Sequence, residues 1–210
     1  MAKVDDYQQS FDLAAEELNK RNFLDVARRA GAQHAPDGES MEFLYYGRPL
    51  KVARVPISVT HLDEGPEIPL AEKALILHYL VNADGAEPTG QWITFREVPS
   101  GEFYWSAFVK RAKSPLVGFF GQRPQLLLEL VEKVGGKPAK DQAGDAAVIV
   151  QAFPRVPFML QLWEGDDEFP PDGNVLMDST ISGYLSTEDV ALAAGLPIYK
   201  MIAIAHQKKG

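Results

Sequence analysis

Ala146-Ala147-Val148-Ile149-Val150-Gln151-Ala152-Phe153-Pro154-Arg155-Val156-Pro157-Phe158-Met159-Leu160-Gln161-Leu162-Trp163 is the stretch that decides the fold class. Its two runs, Ala146 to Phe153 and Val156 to Trp163, are rich in β-branched and aromatic residues and predict two strands. Downstream, Glu164 to Gly173 is an acidic, turn-forming stretch that must end the second strand. Ser179 to Leu185 is weakly helical. Thr187 to Ala194 is more strongly so, with Ser186 as N-cap and Asp189 three residues on, a pattern that resembles a capping box. The Ala and Met content of Ile198 to Ala205 predicts a last helix.

Upstream, Glu42 to Val55 runs through Phe43, Leu44, Tyr45 and Tyr46, turns at Gly47-Arg48-Pro49 and resumes through Leu50, Val52 and Val55, which predicts a hairpin. Ile57 to Leu62 and Trp92 to Phe95 predict further strands. Helical spacing over Tyr7 to Ala32, closed by Gly31, predicts one long or broken helix. Leu70 to Asn82, Phe103 to Lys113 and Arg123 to Val134 predict others, with turn-rich Ser114-Pro115 and Gly118 to Gln122 between the last two. Lys133 to Gly144, with three glycines and a proline, predicts an exposed linker inside one domain spanning residues 1–210. The expected fold is α+β: a mixed or mainly antiparallel sheet flanked by helices.

A faint internal repeat accompanies this pattern. An offset of 101 residues lays Arg54-Val55-Pro56 on Arg155-Val156-Pro157, Glu67 on Glu168 and Pro69 on Pro170. The expectation is two pseudo-repeated β-turn-α units, residues 42–82 and 146–185.

Composition narrows the function classes. Hydrophobic residues are 46% and charged residues 24%, the ordinary globular mixture, and the net charge of −8 repels phosphate backbones and anionic lipid. Nucleic acid and membrane are therefore not expected partners. The absence of cysteine rules out disulfides, thiolate zinc sites, a cysteine nucleophile and any cysteine-ligated iron–sulfur cluster. Met1 to Asp12 lacks the basic-then-apolar order of a secretory signal, and the expected location is the cytoplasm.

Candidate sites are few. No phosphate loop, dinucleotide fingerprint or Gly-x-Ser-x-Gly elbow occurs, and none of His34, His61, His78 and His206 has metalloprotease spacing. His61, Asp63, Glu64 and Glu67 form the one local metal-capable group. His78, on an apolar helix, reads as a satisfied core residue. The acidic turn concentrates four carboxylates between Glu164 and Glu168, which reads as a solvated turn or a cation site. Trp163 with that turn, and Arg96 with Tyr104, supply aromatic walls and polar groups. Arg96, Tyr104, Trp163, Asp166 and Glu168 are accordingly expected to border one concave ligand-binding surface, against the alternative of core packing plus a surface turn.

Phe158 to Pro170, Asp178 to Ser182 and Tyr184 to Asp189, together with Trp92 to Glu97, Pro99, Gly101, Tyr104, Ala107-Phe108 and the Leu75 to Leu80 helix, resemble an uncharacterised prokaryotic family classed as domain of unknown function 3786. The resemblance covers most of residues 40–195. It implies an anaerobic prokaryote and a setting in redox or corrinoid-linked one-carbon metabolism, since some members carry an added cysteine-rich iron–sulfur segment. This chain departs there, having no cysteine. Three readings follow: a ligand-binding or accessory protein taking a small molecule, an enzyme using carboxylates of the two acidic turns with or without a divalent metal, and a structural partner of a redox or corrinoid protein.

Overall fold

The computed structural model describes residues 4–36 and 38–207. Helix α1 (Val4–Asn19) is separated from α2 (Phe23–Ala30) because Asn22 caps the second helix, its side chain accepting from the Asp25 N–H. Gly31 ends α2 in the left-handed conformation. The predicted helix over residues 7–32 is thus a broken one.

Strands β1 (Gln33–His34), β2 (Ser40–Tyr45), β3 (Arg48–Arg54) and β4 (Ile57–His61) form an antiparallel sheet in chain order. The β2–β3 turn lies at Tyr46-Gly47, one residue earlier than expected, and both residues have positive φ, as a tight hairpin turn requires. This turn also joins the two halves of the molecule. The Tyr46 N–H donates to the Ala152 carbonyl, and a Cβ on Gly47 would lie 2.6 Å from the Gly135 Cα, so only glycine permits the approach.

Helix α3 (Leu70–Asn82) follows, then β5 (Trp92–Thr94), a 3-10 turn and α4 (Gly101–Phe108). Ser114-Pro115 does not break the chain as expected. A π-helical segment, Val109–Lys113, runs from α4 directly into α5 (Ser114–Phe120), and Pro115, which has no amide to donate back to that segment, sits just past it. After α6 (Pro124–Leu130) comes β6 (Gly136–Pro138), so the exposed stretch 133–144 includes a short edge strand on β7. Strands β7 (Ala146–Phe153), β8 (Val156–Trp163) and β9 (Asp172–Asp178) complete a five-stranded antiparallel sheet ordered β5-β9-β8-β7-β6. The fold is therefore α+β, with two antiparallel sheets and packed helices.

The repeat does not extend to element order. Both windows contain a hairpin, β3–β4 and β7–β8, but after its acidic loop the first continues into α3, whereas the second continues into β9 and a 3-10 turn. Alternation in Asp172–Asp178, with Gly173, Val175 and Met177 buried, suits a strand paired on β8 and leaves no helical stripe.

Helix α7 (Thr187–Gln207) takes both predicted helical segments in one piece despite Pro197. It is long and apolar enough to cross a membrane by length and composition, yet half of its apolar stretch is buried in the fold, including Val190, Ala194, Ile198 and Met201, which fits a core helix of a soluble protein. Between the sheets, Tyr79 of α3 stacks on Phe153 of β7 at 4.2 Å between ring centroids and on Tyr184 at 5.5 Å. The Tyr79 hydroxyl donates to the Ala30 carbonyl and accepts from the Arg155 N–H, so its buried oxygen is satisfied.

Candidate functional site

Three helices that are far apart in sequence enclose a cleft of about 330 Å³. From α1 come Asp6, Tyr7 and Ser10. From α3, Ala71, Ala74, Leu75 and His78 recur at helical spacing and so share one face. The start of α7 contributes Ser186, Glu188, Asp189 and Leu192, and Arg111 enters from the π segment. That segment lies against α7 because residue 195 is glycine: a Cβ there would come within 2.4 Å of the Arg111 carbonyl oxygen.

His78 is held at both ring nitrogens. Its Nδ1 lies 2.9 Å from Asp189 Oδ1, and its Nε2 lies 3.0 Å from Ser10 Oγ. Asp189 is fixed in turn: the Ser186 hydroxyl donates to its Oδ2 at 2.6 Å, and the Asp189 N–H donates back to Ser186 Oγ. The Ser186/Asp189 pairing read from the sequence thus caps α7, and the same carboxylate turns its other oxygen to the imidazole. Asp189 is buried while the His78 side chain is 29% exposed, so the ring bridges interior and cleft. The hydrogen bond to Asp189 raises the His78 pKa above its ordinary value, against the opposing effect of partial burial.

With Asp189 accepting from Nδ1–H, neutral His78 presents Nε2 as an acceptor for the Ser10 hydroxyl. Serines inside helices commonly return their hydroxyl to a carbonyl one turn back, but Ser10 reaches a residue 68 positions away. The arrangement offers a proton acceptor, a hydroxyl and a guanidinium beside the apolar wall made by Ala71, Ala74, Leu75 and Leu192. Acidic Asp6, Glu188 and Asp189 outnumber Arg111 there, which favours a neutral or cationic occupant over an anion.

The residues expected to form a ligand surface lie elsewhere. β5 runs antiparallel to β9, so Arg96 lies towards the sheet end where Trp163 pairs with Asp172, two strands away. Arg96 and Asp166 are engaged locally. Arg96 packs over the Trp105 ring at 4.5 Å and pairs with Glu102 at 3.4 Å, and Tyr104 is exposed. Asp166 accepts the N–H groups of Glu168 and Phe169, which closes the acidic turn on itself and lowers the Asp166 pKa. Glu168 is exposed, Trp163 is half-buried, and none of the five lines the Ser10–His78 cleft.

The metal-capable group is likewise dispersed into ion pairs. Asp63 receives two hydrogen bonds from Arg48, whose guanidinium also reaches the Glu64 carbonyl oxygen, while Glu67 pairs with Lys73 at 2.7 Å. His61 stands 4.0 Å from Asp63, and its pKa is lowered by burial and by Arg48. Among the described residues no group of three or more histidine and carboxylate side chains is placed to hold a metal ion.

His78 is satisfied as expected, but by polar partners at a cleft instead of inside the core. Ser10 and Arg111 carry no sequence motif. The signal for Ser10 and His78 is subtler: Ser10 stands one turn before buried Ala14 and two before buried Leu18, and His78 shares a face with Ala74 and Leu75, so each interrupts an apolar stripe.

Comparison with curated proteins and with solved structures found no match. The sequence profile of a family described as a domain of unknown function, DUF3786, matches residues 22–200, a span that holds His78, Arg111, Ser186 and Asp189 and leaves Ser10 outside it. With most of its length matched, the chain belongs to the DUF3786 family.

Proposed function

We propose that the chain is a small-molecule-binding protein whose site is the cleft between α1, α3 and α7, taking a neutral, carbonyl-bearing ligand. The observation that carries the reading is His78, fixed at both ring nitrogens and half-open to a cleft that also receives Arg111. A carbonyl oxygen accepts from the guanidinium, an apolar substituent lies on Ala74 and Leu75, and the surplus of acids around the cleft disfavours an anionic ligand. A cytoplasmic setting belongs to the same reading and is supported by the cysteine-free, acidic composition.

Titration with short N-alkyl amides, followed by NMR of ¹⁵N-labelled histidine rings, tests this. The expected result is a saturable shift at His78 that leaves His34, His61 and His206 unmoved and weakens at least about tenfold in Arg111→Ala, the scale of one lost charge-assisted hydrogen bond. Equal, non-saturating shifts at all four rings, or none, would remove the cleft as the site.

A further inference from the structure

We infer that Ser10 is a nucleophile and that the cleft hydrolyses small neutral esters of short acyl chains. This rests on the cleft being the binding site proposed above and adds a reaction to it. Ser10 Oγ, His78 and Asp189 stand in the order hydroxyl, imidazole, carboxylate, at 3.0 Å and 2.9 Å, which is hydrogen-bond reach for the proton transfer from serine to imidazole and for the orienting contact to the carboxylate. The carboxylate is itself oriented by Ser186, so the base is held in the tautomer that accepts from the serine. Such constellations are recognised by geometry and role, and the order Ser, His, Asp along this chain needs no elbow motif. All three residues lie on helices, which hold them more firmly than loops would.

The step balances without a further reactant except water. Ser10 Oγ attacks the ester carbonyl carbon while its proton passes to His78 Nε2, and the carbonyl π pair moves onto oxygen, where Arg111 offsets the charge. Collapse of the adduct breaks the bond to the alkoxy oxygen, which takes the proton from His78 and leaves as the alcohol. Water then attacks the acyl-serine carbonyl, giving its proton to His78. The acid departs as Ser10 is re-protonated. Asp189 accepts from Nδ1–H and orients the ring throughout. The acyl chain is short because the apolar wall of Ala71, Ala74, Leu75 and Leu192, with the Tyr7 ring, bounds a cleft of only about 330 Å³.

The test incubates the full chain with an alkyl fluorophosphonate and reads intact mass and the modified peptide, alongside release of p-nitrophenol from p-nitrophenyl butyrate. One adduct on the Ser10 peptide is expected, absent in Ser10→Ala and formed at least about a hundredfold more slowly in His78→Gln, the usual contribution of a general base. An initial burst of p-nitrophenol should accompany it. An adduct at another residue, or labelling insensitive to His78→Gln, overturns the inference. If no adduct forms while the N-alkyl amides still shift His78, the nucleophile falls and the binding site stands. If neither probe engages the cleft, both readings fall. Matching circular dichroism spectra and thermal midpoints show that the variants are folded.

Discussion

Protonation of His78 changes what the cleft offers. The neutral ring donates from Nδ1 to Asp189 and accepts at Nε2 from Ser10, whereas the imidazolium donates at both nitrogens and Ser10 must then accept. Because Asp189 raises the folded-state pKa, the folded protein holds this proton more tightly than the unfolded chain does. The resulting stabilisation is fully present below the unfolded value of about 6.5 and is lost as pH rises through the raised folded value. Asp6, Arg111 and Glu188 line the cleft around the ring together with Asp189. His61 acts oppositely, since burial and Arg48 lower its pKa, so it must be retained in both proteins compared. Urea denaturation of the wild type and His78→Gln between pH 5 and 9 should show a stability gap that is widest at the acid end and narrows upward. A gap that widens with pH would show that the pair is not an ion pair.

At the scale of elements, the start of α7 joins stability to the site. Ser186→Ala removes the N-cap and the donor that steadies Asp189, and should cost about 1 kcal/mol, a fall of roughly 2–4 °C in Tm for a chain of this size. Ser186→Thr keeps the hydroxyl and should recover most of this loss, by the same calorimetric measurement, while loss in both variants would mean the cap contributes little. This cap was legible in the sequence because capping is a local rule with fixed spacing. The strands β7 and β8 and the helix α3 were legible for a similar reason, their periods being short-range. The course of residues 172–178 was not, because its strand character is supplied by pairing with β8, and Pro115 read as a break because a π segment has no propensity signature. The site was the least legible part. Arg96, Tyr104 and the acidic turn are unusual residues in a short span, but Arg96 and Asp166 find their partners within their own neighbourhoods and Tyr104 is exposed. Ser10, His78 and Asp189 are ordinary where they stand and acquire meaning only when α1, α3 and α7 converge, which no local rule encodes.

At the scale of the whole molecule, buried contacts tie the two sheets together. The Gly47–Gly135 approach, the Tyr46 to Ala152 hydrogen bond and the stack of Tyr79 on Phe153 all cross between the halves. Phe153 also meets Tyr45 at 5.1 Å and Phe43 at 6.4 Å between centroids, so one ring of β7 packs on residues of β2 and α3 together. Truncating such a fully buried aromatic costs about 3–5 kcal/mol, through lost transfer energy and the cavity left behind. If the halves were independent, this loss would fall on the half that owns the side chain; if they form one cooperative unit, it lowers the stability of both alike. The probes separate cleanly by position. Trp92, Trp105 and Trp163 all lie in or beside the five-stranded sheet, so their fluorescence reports that half, and the amides of β2 and β3 report the other by hydrogen exchange. We predict that Phe153→Ala shifts the urea midpoint seen by tryptophan and the opening free energy of the β2–β3 amides by the same amount within error. Exchange in β2 and β3 that stays at the wild-type rate while the tryptophan midpoint falls would show two units instead of one.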